Sequence, residues 1–189
     1  MSVSPAIICS NALSLLQEDS ILTLLDETVR ARRCNQHFDV TRDAMLESHP
    51  WNFATHRVQL VAIDTPAPAF NFSYTFQLPS DYLKVQEVYP DYIEYAIESD
   101  RILADSSEVY IAYTRKLTDY NKYNPLFIYA LQYQLASVMA PMFKHDYKIA
   151  QMYAAEADRW LSKAKSSDAQ ASRSKLVKSD DLIDARKVL

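Results

Sequence analysis

The sequence predicts an α+β subunit: a four-helix bundle built from both chain ends, with an inserted small antiparallel β-module and an extended C-terminal tail. Apolar residues recur with a helical period at both ends of the 189-residue chain and with a period of two between them. Near the C-terminus the composition becomes polar. These three observations assign residues 1–50 and 116–165 to the helical domain, 51–115 to the β-module and 166–189 to the tail.

The first helix has a well-marked start. Ser4 can cap its free N–H groups, and Pro5 suits the first helical position. An apolar stripe follows it along residues 7–16. Asp26 is predicted to cap a second helix, which ends at Pro50 because proline cannot continue a helix.

The middle of the chain alternates between apolar and polar residues. The alternation is clearest from Phe70 to Leu78, where aromatic side chains take every second position. Residues 51–63 are also strand-like, and polar turns separate further short segments at 82–89, 92–97, 101–104 and 109–114. Five or six such strands predict a small antiparallel sheet or an open barrel.

Helical periodicity returns after residue 120. Asn124 and Pro125 form a cap followed by a proline at the first helical position. The next residues are apolar nearly all round, which is typical of a helix buried on several sides, and Pro141 marks its end or a kink. Asp146 is predicted to start the fourth helix.

The composition excludes several functions. The chain has no glycine, where about 13 are typical, so it cannot form a Gly-rich phosphate loop, a dinucleotide fingerprint or a nucleophile elbow. Its net charge of −4 argues against nucleic-acid binding through the overall field. Cys9 and Cys34 lie far apart among apolar residues, which predicts reduced thiols in the hydrophobic core. No apolar run approaches the roughly 18–20 residues of a membrane span, and no secretory signal is visible, so synthesis in the cytoplasm is expected.

Histidine chemistry is the main catalytic alternative. His145 precedes Asp146, and His37 lies two residues before Asp39, so either could pair with a carboxylate for acid–base work. The four histidines and two cysteines match no zinc-site spacing. We therefore expect no enzymatic activity, no metal and no cofactor.

Tyrosine is in excess, with 13 copies concentrated in the second half of the chain. Tyrosine combines a large apolar ring with a polar tip and is enriched at protein interfaces. Tyr82, Tyr89, Tyr92 and Tyr95 fall within the β-module, where they are candidates for contact with another protein or with a neighbouring subunit.

The tail differs in charge from the rest of the chain. From Lys163 onward there are seven basic and four acidic residues, whereas residues 1–162 carry 13 basic and 20 acidic ones. A net basic segment with spaced aliphatic residues suits docking on an acidic partner. The candidate docking residues are Lys163, Lys165, Lys175, Leu176, Val177, Leu182 and Ile183.

Several motifs together resemble one family. Residues 49–54 (His-Pro-Trp-Asn-Phe-Ala), followed by Arg57 and Leu60, resemble the helix-to-strand junction of head-to-tail adaptor proteins of short-tailed bacteriophages, often called tail tubular protein A. The order Phe-x-Leu-Pro-Ser-Asp-Tyr-Leu at 76–83 and Asn-Pro-Leu-Phe at 124–127 is also similar, and the resemblance extends over about residues 4–165. No shared pattern is recognised after residue 166.

The resemblance implies a structural role in the virion neck. Such adaptors form a ring, usually a dodecamer, below the portal, extend the DNA channel without sequence-specific DNA binding, and give the tail nozzle a docking surface. The resemblance makes His49, Pro50, Trp51 and Phe53 the structural junction. We expect the helical domain and tail to contact the portal and the β-module to face the nozzle, without a membrane. Alternatives are another neck or stopper protein, a small helical enzyme using His145 or His37, and a DNA-binding packaging factor.

Overall fold

The computed structural model describes residues 3–63 and 70–171, which form an α+β fold of four α-helices and two three-stranded antiparallel sheets. The helices are α1 (Pro5–Leu15), α2 (Val29–Glu47), α3 (Pro125–Lys144) and α4 (Tyr147–Ala171). The strands are β1 (Thr55–Leu60), β2 (Tyr74–Gln77), β3 (Tyr82–Tyr89), β4 (Tyr95–Glu98), β5 (Arg101–Ala104) and β6 (Val109–Arg115). The predicted α+β class is confirmed.

Local capping chemistry explains where α1 and α3 begin. The Ser4 side chain accepts a hydrogen bond from the Ile7 amide, and Pro5 is the first residue of α1. The Asn124 side chain likewise accepts from the Leu126 amide at 2.8 Å, ahead of Pro125. Both predicted helix starts are confirmed.

The start of α2 differs from the prediction. Thr28, not Asp26, is its N-cap and accepts a hydrogen bond from the Ala31 amide at 3.1 Å. The Asp26 carboxylate is already occupied, because it accepts hydrogen bonds from Thr23 and from the Leu22 amide. These bonds lower the pKa of Asp26 and close the loop before the helix. The assignment of Asp26 as the cap is therefore wrong.

The helix α3 is central to the helical part of the fold, because it packs against α1, α2 and α4. Pro141 lies inside it: the helix continues to Lys144 and ends at His145, which adopts a left-handed backbone conformation with φ 52°. The proline costs one backbone hydrogen bond but does not end the helix. Buried side chains from α1–α4 share one hydrophobic cluster with Trp51 and Tyr123.

The same helix has the length and mean hydropathy of a membrane span, contrary to the expectation from the sequence. It has 20 residues with a mean hydropathy of 1.3 over its most apolar window, and half of that window is buried within the fold. Partial burial against three neighbouring helices is the behaviour of a core helix.

The two sheets have the orders β1-β6-β3 and β2-β5-β4, and an isolated bridge between Ala62 and Phe76 links them. Their buried side chains form a second cluster that includes Phe76, Ile111 and Tyr113. Burial, together with the hydrogen bond donated to Asp81, raises the pKa of the Tyr113 hydroxyl to about 12.

The aromatic alternation from Phe70 to Leu78 is only partly realised as a strand. Only residues 74–77 form β2, and Phe76 and Leu78 are buried as predicted. Phe70 and Tyr74 belong to the same alternating set but are exposed. The alternating pattern alone could not show that β2 pairs with only four residues of β5, which leaves the positions before it without a sheet neighbour.

The C-terminal helix α4 runs to Ala171, beyond the predicted end at residue 165, so the first part of the predicted tail is helical. Tertiary contacts explain the extension. The buried carboxylate of Asp168 accepts hydrogen bonds from the Asn52 amide at 3.1 and 3.2 Å, and the Asn52 side chain donates to the Asp168 carbonyl at 2.8 Å. This last turn is therefore held by the chain's own helix-to-strand junction.

Candidate functional site

The outward face of the β1-β6-β3 sheet is the candidate site. In the central strand β6, the side chains of Val109, Ile111 and Tyr113 are buried in the cluster shared by the two sheets. Since successive side chains of a strand point to opposite faces, Tyr110 and Ala112 lie on the outward face. Residues of β1 and β3 paired with these two positions complete the face.

Cross-strand pairs arrange this face in rows. In the middle row, Arg57 and Glu87 are both paired with the small residue Ala112, and the Arg57 Nη1 lies 3.6 Å from the Glu87 Oε2. The row nearest the helices is polar, because the Gln86 amide donates to the Thr114 hydroxyl at 2.8 Å. These pairs order the face but contribute little stability, since exposed ion pairs are worth about 0–1 kcal/mol.

The row farthest from the helices is aromatic. Tyr110 is paired with Tyr89 on β3, and their ring centroids are 6.4 Å apart in an edge-to-face arrangement. Tyr95 and Asp91 line the same open groove, whose volume is about 800 Å³. Tyr89 is 62% exposed, and nearby in the chain Tyr92 is 83% exposed. We call the three tyrosines that line this groove, Tyr89, Tyr95 and Tyr110, the tyrosine face.

Two of the four predicted contact tyrosines, Tyr89 and Tyr95, belong to the tyrosine face, whereas Tyr92 is exposed but does not line the groove. Tyr82 does not, because it is partly buried against the cluster of the two sheets. Tyr110 was not predicted as a site residue. Its place between the apolar residues Val109 and Ile111 of a strand indicates that its side chain points to the opposite, outward face. Exposed tyrosine side chains are enriched among the residues that contribute most to protein binding, because each combines a large apolar ring with a polar hydroxyl group.

A second exposed apolar feature lies between α1 and α2. Leu22 is 88% exposed and Leu25 is 86% exposed. The loop that carries them is held by the Asp26 carboxylate and by the Ser10 hydroxyl, which bonds both the amide and the carbonyl of Ile21. The sequence suggested only an apolar bridge here, whereas the structure presents two leucines on an ordered loop, the leucine loop.

The predicted structural junction is only partly buried, because His49 and Phe53 are half-buried and Pro50 is exposed. Trp51 is fully buried, and its indole Nε1 donates to the Met45 carbonyl at 3.1 Å. Phe53 stacks on Trp51 with centroids 5.5 Å apart, and His49 meets the same indole edge-on at 4.7 Å. Pro50 remains exposed and separates α2 from this aromatic cluster.

The predicted portal-docking residues fall into two groups. Lys163 is exposed on α4, with its ammonium 4.3 Å above the Trp160 ring, and Lys165 is half-buried on the same helix. The other five residues lie outside the described residues: Lys175, Leu176, Val177, Leu182 and Ile183.

The histidines occupy separate places. His37 is half-buried on α2. Burial is the main cause of its lowered pKa, and the nearby positive charge of Arg33 lowers the pKa further. His145 is exposed at the end of α3. The histidine that lies beside a carboxylate is instead His49, with its Nε2 3.5 Å from the Asp168 Oδ2. In the part of the chain that the structure describes, no group of three or more His, Cys, Asp or Glu side chains could hold a metal ion.

Cys9 and Cys34 are buried free thiols of the helical core. A hydrogen bond with the Cys34 thiol, together with burial, raises the pKa of Cys9. A raised pKa keeps this thiol protonated at neutral pH, and Cys34 also contacts the Met139 sulfur at 3.9 Å. Both cysteines are therefore part of the hydrophobic core of the helical domain.

Comparison with known proteins adds no family assignment: neither a scan against family models nor a search of curated proteins gives a match.

Proposed function

We propose that this chain is a structural virion protein, a head-to-tail adaptor that forms a homo-oligomeric ring between the portal and the tail nozzle and extends the DNA channel. The observation that carries the proposal is the tyrosine face, an open aromatic groove of about 800 Å³ on the outward face of a sheet. The resemblance of residues 4–165 to tail tubular protein A supports the same function.

The shape and chemistry of the tyrosine face suit a protein partner. The groove is open and wide, and aromatic rings and an ion pair line it. Interface cores are enriched in tyrosine and arginine, and a tyrosine ring supplies a large contact area at low entropic cost. The next component of the tail, the nozzle, is the proposed occupant.

The helical domain is proposed to form the ring and to meet the portal. We propose that α1–α4 act as a four-helix bundle, supported by the packing of α3 on the three other helices and by their shared core. The leucine loop offers an apolar contact for a neighbouring subunit, and a ring needs such head-to-tail contacts between unlike surfaces. Lys163, Lys165 and the segment after Ala171 are the proposed portal contacts. The ring is proposed to be dodecameric.

Charge supports a channel through which DNA slides. Residues 1–162 carry 13 basic and 20 acidic side chains. A lumen lined by acidic subunits repels DNA phosphates at short range and so limits adhesion. The proposal therefore assigns DNA as cargo that passes through, not as a bound ligand.

Replacing Tyr89 and Tyr110 together by serine tests the role of the tyrosine face. We expect the affinity for the nozzle protein of the same phage to fall at least about 30-fold, the equivalent of about 2 kcal/mol from two interface anchors. Binding to the portal stays unchanged, because these residues lie on the sheet. The measurement is the dissociation constant of nozzle protein from adaptor–portal complexes that are immobilised on a surface.

Tyr147→Ser is the matched control, because Tyr147 is also an exposed tyrosine but begins α4. It should bind the nozzle like the unmodified chain. Wild-type nozzle affinity in the double variant, with its fold verified by circular dichroism, contradicts the assignment of this face to the nozzle.

A further inference from the structure

A polar pocket of about 410 Å³ lies where the sheet part of the molecule meets the helical part. Three cationic residues line it, Arg115 at the end of β6, the adjacent Lys116, and Lys122, together with the hydroxyl-bearing residues Ser80 and Thr118. Nothing in the adaptor function requires this pocket, and it is separate from the tyrosine face.

Arg115 differs from its two cationic neighbours in its bonding. The ammonium of Lys116 lies 3.1 Å from the Asp43 carboxylate, and that of Lys122 lies 3.4 Å from Asp119. Across residues 3–63 and 70–171, Arg115 has no carboxylate within ion-pair distance, and its Nε is buried without a hydrogen-bond partner. A buried, unsatisfied guanidinium donor is costly, and buried polar groups normally have partners.

Two hydrogen bonds fix the backbone from which the Arg115 side chain extends. The Arg115 amide donates to the Ala54 carbonyl at 2.9 Å, and the Lys116 amide donates to the Asp81 carbonyl at 2.6 Å. The side chain of Asp81, which also lines the pocket, accepts a hydrogen bond from the Tyr113 hydroxyl at 2.9 Å. The wall of the pocket from which the Arg115 side chain extends is therefore ordered, which lowers the entropic cost of binding a ligand there.

We propose that this pocket is an oxyanion site that takes one carboxylate or phosphate group on Arg115. A guanidinium presents several N–H donors in a planar fork that matches such groups. Because no carboxylate of the described residues lies within ion-pair distance of Arg115, its positive charge is available to an anionic group in the pocket. Lys116 and Lys122 add positive charge at the rim. Asp81 and Asp119 at the same rim disfavour a polyanion such as DNA, so the pocket selects a single anionic group. This inference stands independently of the adaptor function.

Inorganic phosphate is the probe, and its test uses the full chain. At constant ionic strength we expect phosphate to raise the thermal midpoint saturably, whereas chloride does not, because a ligand that binds only the folded state stabilises it. Acetate should produce a smaller shift at the same site. Arg115→Gln should lower the phosphate affinity at least about tenfold, the loss expected for a charge-assisted hydrogen bond.

Arg101→Gln is the control, because Arg101 is an exposed arginine on β5 whose Nε lies 3.8 Å from Asp100. It should bind phosphate like the unmodified chain. Should Arg115→Gln fail to fold, Lys122→Gln at the exposed rim serves instead and should weaken phosphate about threefold, the effect of one exposed charge.

Two results overturn the proposal. One is a shift of the thermal midpoint with phosphate that is no larger than the shift with chloride, or a phosphate affinity that Arg115→Gln leaves unchanged. Where Arg115→Gln does not fold, an unchanged phosphate affinity in Lys122→Gln has the same meaning. The other is binding of a duplex oligonucleotide that is lost in the same variant, which makes the pocket a nucleic-acid contact and not a site for a single anionic group.

Discussion

Replacing Trp51 with alanine should lower the free energy of unfolding by about 3–5 kcal/mol, among the largest losses from any single substitution in this chain. Trp51 is fully buried where α2 ends and the β-module begins. Its ring contacts Phe53 and meets Phe127 of α3 at 5.0 Å, so alanine leaves a cavity that both parts of the fold share. The lost indole N–H also leaves the Met45 carbonyl without that donor.

Chemical denaturation measures this effect, with Trp160→Ala as the matched control. Trp160 is half-buried on α4, where it stacks on Tyr129 at 5.1 Å. Its removal should cost about 1–2 kcal/mol, because the site stays open to water and can relax. Equal losses for the two tryptophans show that Trp51 is not the anchor of the junction.

Replacing Arg42 with methionine should cost about 2–3 kcal/mol, the second-largest predicted effect. Arg42 lies on α2 with its side chain almost wholly buried, 2.7 Å from Asp39 and 2.8 Å from Asp43. It also donates to the Tyr120 hydroxyl at 3.0 Å, which ties α2 to the segment before α3. Burial opposes the charged form, but the Asp43 carboxylate outweighs it and raises the pKa of Arg42.

The loss stays below the upper range for a broken buried ion pair, because Asp39 is exposed and regains hydration when Arg42 is removed. Arg33→Met is the control: Arg33 is exposed on the same helix, and its removal should change stability by less than about 0.5 kcal/mol. A stable Arg42→Met variant, with an unfolding midpoint like that of Arg33→Met, shows that this charge network is dispensable.

Features set by neighbouring residues were predictable from the sequence. The starts of α1 and α3 follow from Ser4-Pro5 and Asn124-Pro125, because capping and proline geometry act over three residues. The bounds of β3 and β5 were predicted correctly for the same reason, since polar turns flank them. By contrast Asp26 was assigned as a cap because sequence alone did not show that Leu22 and Thr23 already occupy its carboxylate.

Features set by distant contacts were not predictable. The docking of Asp168 on Asn52 joins residues 116 positions apart and extends α4 into the predicted tail. The tyrosine face needs the register of β3 against β6, which places Tyr89 opposite Tyr110. Composition revealed the excess of tyrosine but not which rings share a surface, and the orphaned donor of Arg115 has no signal in the sequence.

We propose that the chain acts as a ring-forming structural part between a portal and a tail nozzle. The most direct test is the particle mass, by mass photometry, of the full chain mixed with the portal protein of the same phage. We expect a single species whose mass equals the portal plus a complete ring of 21.7 kDa subunits. The proposed ring is contradicted when the portal and the free chain remain separate species at micromolar concentrations.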